Sequence, residues 1–264
     1  MKWPRIGGIA ALVLLLGSAG CGSGGTPNGS SSSTSSPQSS QSGSLTPVLL
    51  FTGVGTSAPD VSAVQAMLDN LKLSYSTVNS AELEAISDAQ LKTSKLLIVP
   101  GGNSIMIGQN LSAAATAKIR NAVEQDGLHY LGICAGAFFA GSSIYNGVDL
   151  TSGVWFNFYA DENKGIHLEA LNIALSNGSL LDVYWQDGPQ LSGWGEVVAE
   201  FPDGTPAIVE GGAGNGFVVL TGVHLEAPAN WRTGLTFTTP LAVDLAYAGT
   251  VIQSALNGNP LPHF

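Results

Sequence analysis

Tyr130-Leu131-Gly132-Ile133-Cys134-Ala135-Gly136-Ala137 is the stretch that decides the fold. An apolar strand runs straight into a cysteine flanked by glycines two places on either side, and small residues then open a helix. This is the G-x-nucleophile-x-G elbow, with Cys in place of Ser. A side chain on such a strand-to-helix turn sits on strained backbone, and bulk at either flanking position would crowd the turn. The elbow puts the sulfur at the carboxyl edge of a sheet and at a helix N-terminus, where backbone N–H dipoles favour a thiolate. The N–H of Ala135 is then placed as an oxyanion donor.

Outward from the elbow, strand and helix signals alternate. Val48-Leu49-Leu50-Phe51 reads as a buried strand, and Asp60 as the N-cap of a helix carrying Val61, Val64, Met67, Leu68 and Leu71 at helical spacing. Residues 74–78 and 95–99 read as further strands, the second closed by Pro100-Gly101-Gly102, and Ser112 opens an Ala-rich helix that stops at Gly127. The second half is richer in strands, over 182–185, 196–201, 207–210 and 217–221. A last helix over 241–256 is signalled by Thr239 as cap and Pro240 as first helical residue. Residues 145–180 show no readable period. The pattern predicts an α/β fold, a three-layer αβα sandwich around a mostly parallel central sheet.

Composition excludes several functions. Basic residues number nine against nineteen acidic ones, and they are scattered, so a nucleic-acid partner is not expected. Two cysteines, Cys21 and Cys134, preclude a disulfide framework or a multi-cysteine metal centre. Cys21 follows a basic start (Lys2, Arg5), an apolar run over 6–16 and small residues over 17–20. That is an export signal, and its close on cysteine resembles a bacterial lipoprotein signal, with Ser18 where such signals usually carry Leu. The expected organisation is a signal peptide over 1–20, a lipidated Cys21 with a Ser/Gly-rich disordered tether over 21–44, and a folded domain over 45–264. The expected location is the bacterial cell envelope, on its periplasmic or extracytoplasmic face, with the membrane reached through the lipid on Cys21.

A thiolate nucleophile needs a base, and the base an orienter. Of the four histidines, His129 falls at the far end of the elbow strand, His167 in the unassigned middle and His263 next to the C-terminus. His224 follows the strand over 217–221, and Glu226 lies two residues on, the spacing that puts two side chains on one face of an extended chain. His224, Glu226 and Cys134 could also gather zinc, but the elbow points to catalysis, and no metal or other cofactor is expected.

Val99-Pro100-Gly101-Gly102, the elbow, and Thr221-Gly222-Val223-His224-Leu225-Glu226 occur in the order found in class I glutamine amidotransferase-like domains. The loops Thr52-Gly53-Val54-Gly55-Thr56-Ser57 and Val183-Tyr184-Trp185-Gln186-Asp187-Gly188-Pro189 resemble, more closely, the N-terminal domain of biotin–protein ligases and its stand-alone bacterial relatives. The resemblance implies a flavodoxin-like sheet with Cys134 as nucleophile, His224 as base and Glu226 as its orienter. It implies a second oxyanion donor from Gly101 or Gly102. Tyr184 and Trp185 become candidates to line a substrate pocket. Leu225 stands where the family commonly has Pro, and Gln186-Asp187 where it has Asn-Gly. No ammonia-consuming synthase domain and no ligase domain is read in the chain. The leading expectation is therefore a membrane-tethered cysteine hydrolase acting on an amide, peptide or related small-molecule acyl substrate. A catalytically silent binding or scaffold domain is the alternative, and a thiol redox sensor a third reading.

Overall fold

A computed structural model of the chain describes residues 46–264. The expected export signal, lipidated Cys21 and tether lie outside the described residues. Among the described residues no helix is long and apolar enough to cross a membrane.

The chain runs β1 (Val48–Phe51), α1 (Ala58–Asn70), β2 (Tyr75–Val78), α2 (Ser80–Ala85), α3 (Asp88–Leu91), β3 (Leu96–Val99), α4 (Ser104–Gln109), α5 (Ala113–Glu124), β4 (His129–Ile133) and α6 (Ala135–Ala140). It continues through β5 (Asn157–Phe158), β6 (Leu168–Leu175), β7 (Leu180–Gln186), β8 (Pro189–Gln190), β9 (Glu196–Glu200), β10 (Pro206–Ala213), β11 (Gly216–Thr221) and α7 (Leu241–Asn257). The main sheet has the order β2-β1-β3-β4-β11-β10-β9-β6-β7, and β5 pairs with β8 apart from it. From β2 to β11 every neighbouring pair is parallel. From β11 onward the pairs are antiparallel.

Alternation along the short strands splits the core between two faces. Val48 and Leu50 of β1 pack with Val64 and Leu68 of α1 and Val251 and Ile252 of α7. Leu49 and Phe51 point the other way, toward Leu83 of α2, Ile107 of α4 and Ile119 of α5. A sheet whose strands are apolar on both faces must be covered on both, and the result is a three-layer αβα sandwich.

Local chemistry explains most boundaries. The Ser112 hydroxyl accepts from the Ala115 N–H and caps α5, and Gly258 closes α7 in the left-handed conformation. Two caps differ from expectation. Ser57 is the N-cap residue of α1, because Pro59 fits the first turn behind it, and this leaves Asp60 inside the helix and buried. Thr239 does not cap α7. Its hydroxyl accepts from the Asp182 N–H, and the Asp182 carboxylate accepts from the N–H groups of Thr238 and Thr239. Burial alone would raise the Asp182 carboxyl, but these hydrogen bonds outweigh it and hold its pKa below the ordinary value. The unassigned middle becomes an irregular flap over 141–156, the β5–β8 pair, and the long hairpin of β6 and β7.

Candidate functional site

The site forms where β3, β4 and β11 end side by side. Cys134 follows β4 with φ 49° and ψ −104°, a conformation costly for a residue with a side chain. The flanking glycines make that turn possible. A Cβ on Gly136 would lie 1.9 Å from the Val99 carbonyl oxygen, and one on Gly132 would lie 2.6 Å from the Gly136 oxygen. β11 runs parallel to β4, with Thr221 opposite Ile133. Its continuation therefore brings His224 beside the elbow, and the His224 N–H donates to the Tyr184 carbonyl of β7 (2.9 Å).

A second wall comes from the start of the chain. The 53–57 loop is stitched to the turn after β3: Ser57 N–H donates to the Gly101 carbonyl (3.0 Å), and Asn103 N–H to that of Gly55 (2.7 Å). These bonds place the first turn of α1, with Asp60, against the end of β11. Gly101 has no side chain because Asp60 occupies the space: a Cβ there would fall 2.0 Å from Asp60 Oδ1 and 2.8 Å from His224 Cε1.

His224 Nδ1 lies 2.9 Å from Glu226 Oε1 and 3.2 Å from Asp60 Oδ1, and all three residues are buried. The Nδ1–H donates to Glu226, and the Asp60 carboxylate stands beside it at ion-pair distance. Burial pulls the imidazole's pKa down, but the Glu226 carboxylate and the neighbouring Cys134 sulfur outweigh it and hold His224 well above its ordinary value. Tyr184 packs edge-on to the ring at 5.9 Å and Trp231 at 5.7 Å, walling the imidazole off on that side. The three donor atoms of Asp60, His224 and Glu226 lie within 4.8 Å of one another, a set that could ligate a divalent cation only once Nδ1 has lost its proton.

The geometry corrects the expectation of a Cys134–His224–Glu226 hydrolase. The acid–imidazole cluster consists of Asp60, His224 and Glu226, and among the described residues no such cluster includes a cysteine. Cys134 is buried, and its Sγ donates to the Gln186 carbonyl at 3.6 Å. A Cys-dependent amidase falls with the triad.

Cys134 and His224 face one cavity of about 360 Å³, which Asp60, Gly102, Ala135 and Asp187 also line. Of the expected pocket aromatics, Trp185 is fully buried, with its Nε1–H on the Gly188 carbonyl (3.3 Å), and Tyr184 donates to Gln186 Oε1 (2.9 Å). Gln186 and Asp187, next along the chain, are the residues from this stretch that line the cavity. Asp187 holds a left-handed backbone (φ 46°), and its carboxylate lies 2.8 Å from Nδ1 of the exposed His167. His129 is occupied elsewhere, with Nδ1 2.7 Å from the Ala255 carbonyl. Asp60 is the residue that sequence reasoning missed. The local rule that made it a helix cap hid its role, and the Gly101 it requires was the only signal of a close approach.

The family described as the N-terminal domain of biotin–protein ligase matches residues 46–172. An uncharacterized protein of Chlamydia muridarum is 30% identical over 166 residues, which is 51% of this chain and 61% of that one. A glutamine amidotransferase from Methylobacillus flagellatus superposes with a TM-score of 0.53 at 14% identity, covering 84% of this chain and 97% of its own. An exo-β-1,4-mannosidase from Opitutaceae bacterium strain TAV5 aligns at 13% identity and a TM-score of 0.48, over 77% of this chain and 35% of its own length. Parallel sheet, elbow and helical layers together give the described residues a glutamine-amidotransferase-like fold, and over residues 46–172 the chain is similar to the biotin–protein ligase N-terminal domain.

Proposed function

We propose that the domain is a catalytically silent, amidotransferase-like binding module whose ligand, a small molecule or peptide end, enters the cavity beside Cys134. One observation carries this reading. The Cys134 thiol donates to the Gln186 carbonyl, while the imidazole donates through Nδ1 to Glu226 with Asp60 beside it. Both would-be catalytic groups are thereby committed to structure, yet the cavity they face remains open and polar. Within it, the backbone N–H groups of Gly102 and Ala135, once candidates for an oxyanion, serve as donors to a bound carbonyl. In this reading residues 1–20 export the chain and Cys21 carries the lipid. The tether over 21–44 then lets the module sample ligands near a bacterial envelope membrane.

Two measurements test it. Ammonia release from L-glutamine and from dipeptide amides should be no greater for the wild-type protein than for Cys134→Ala, whereas turnover that depends on Cys134 would refute the reading. A fragment screen followed by 1H–15N NMR should yield ligands that shift the Ala135 and Gly102 amides, and a screen that leaves both unmoved would also refute it. Palmitate labelling lost in Cys21→Ala would support the anchor, and labelling that survives would remove it.

A further inference from the structure

A second cavity of about 220 Å³ opens next to the first. Ser104 and Ile105 of α4, Phe138 of α6 and Phe158 of β5 line both, so the two form one continuous cleft. Phe138 and Phe158 meet edge-on at 4.9 Å and make the shared wall. The far end is aromatic, with Tyr145 and Trp155 edge-on at 6.4 Å.

The two ends differ in chemistry. Among the described residues no charged side chain lines the second cavity, and Trp155, Phe158 and Ile105 are exposed around it although apolar side chains of that size belong in a core. The first cavity carries Asp60 and Asp187, with Glu226 directly behind His224 and His167 2.8 Å from Asp187, and among the described residues His224 is the only basic side chain on its wall. Carboxylates therefore outnumber cations there, and no described Lys or Arg lines either cavity. A ligand bearing a carboxylate or phosphate would be repelled from this end, and one bearing a protonated amine attracted.

We infer that the cleft takes a small cationic amphiphile, with its protonated amine among the carboxylates of the first cavity and its aromatic group between Trp155 and Phe158. This names the ligand class of the binding module and rests on that reading. The occupant is an aromatic amine or an aromatic residue presenting a free amino group. The head exchanges water for Asp60 and Asp187, and the ring covers side chains that are otherwise exposed to water.

Three probes separate the contributions: phenylalaninamide (amine and ring), alaninamide (amine, no ring) and N-acetylphenylalanine (ring, carboxylate). Binding is read by tryptophan fluorescence and by amide chemical shifts in the full chain. Phenylalaninamide should bind at least about tenfold more tightly than either of the others. Trp155→Ala, an exposed position that leaves the core intact, should remove most of the gain over alaninamide. Asp187→Asn should weaken both amines and leave the acetylated acid unchanged. Equal binding of the two amides, or tighter binding of the acetylated acid, overturns this inference and leaves the binding module standing. So does binding by none of the three when the fragment screen yields ligands of other chemistry. Failure of both screens overturns the module as well.

Discussion

The pair of carboxylates beside one imidazole nitrogen makes a quantitative prediction. Nδ1 of His224 sits 2.9 Å from one carboxylate and 3.2 Å from the other. Breaking a buried ion pair by removing one partner typically costs about 3–5 kcal/mol, because a charge is left uncompensated. Here each carboxylate has a substitute. Asp60→Asn or Glu226→Gln alone leaves the imidazolium one charged acceptor and relieves the repulsion between two buried anions, so each should cost only about 1 kcal/mol. The double variant strips the ring of both and should cost about 4 kcal/mol, a coupling of about 2 kcal/mol beyond additivity. Urea unfolding at pH 6 measures the cycle, and 15N shifts of the ring follow its charge. The pH dependence has a definite sign. The pKa of His224 is higher folded than unfolded, so its stabilisation is complete below about pH 6.5 and is lost as pH rises through the folded-state value. Wild type should therefore weaken above pH 6.5, and the double variant should lose that slope. Single costs that add to the double within about 0.5 kcal/mol would refute the idea that the two carboxylates substitute for one another.

Three further outcomes follow from the same geometry. Gly136→Ala should destabilise by about 3 kcal/mol or prevent folding, since its Cβ would meet the Val99 carbonyl oxygen at 1.9 Å and neither backbone can yield; wild-type urea midpoints would refute this. Cys134→Gly should be more stable than Cys134→Ala by about 1 kcal/mol, because glycine relieves the φ of 49° that alanine must keep, and the reverse order by thermal unfolding would dismiss the strain. Glu169 is pushed up to about 7 by burial, then by its hydrogen bond to Asp161 and that residue's charge. A carboxyl raised on folding stabilises at low pH and loses that contribution as pH climbs through about 7. Glu169→Gln should flatten the decline in Tm between about pH 4.5 and 7, and an unchanged profile would show that another group sets it.

What could be read from the chain were features determined within a few residues. The strands β1 and β3 are unbroken apolar runs soon followed by Gly53 and Pro100, β4 runs apolar from Tyr130 into the elbow, and Ser112 caps its own helix. The strain of the elbow is likewise written in Gly132 and Gly136. The site proved harder because its decisive partners come from afar. Asp60 reaches His224 through a loop stitched to the turn after β3, and the Cys134 sulfur finds a backbone carbonyl at Gln186, an acceptor that every residue possesses and no side chain announces. The motif therefore located the strand-to-helix turn at Cys134 while leaving the thiol's actual partner invisible. The stretch 145–180 was opaque for another reason. Its flap is irregular, and β6 alternates poorly because only parts of it are buried.

The placement of this site in the middle of the sheet has a kinetic consequence. Its floor is formed by the ends of β4 and β11, two parallel strands flanked by β3 and β10, so their amides can trade hydrogen for deuterium only when the whole domain opens. The aromatic end of the cleft hangs on the 141–156 segment and the two-residue pair of β5 with β8, outside the main sheet, and its amides should exchange by smaller, local openings. A ligand would thus meet a rigid polar seat first and a yielding aromatic arm second, and bound ligand should slow exchange in the flap while leaving the floor unchanged.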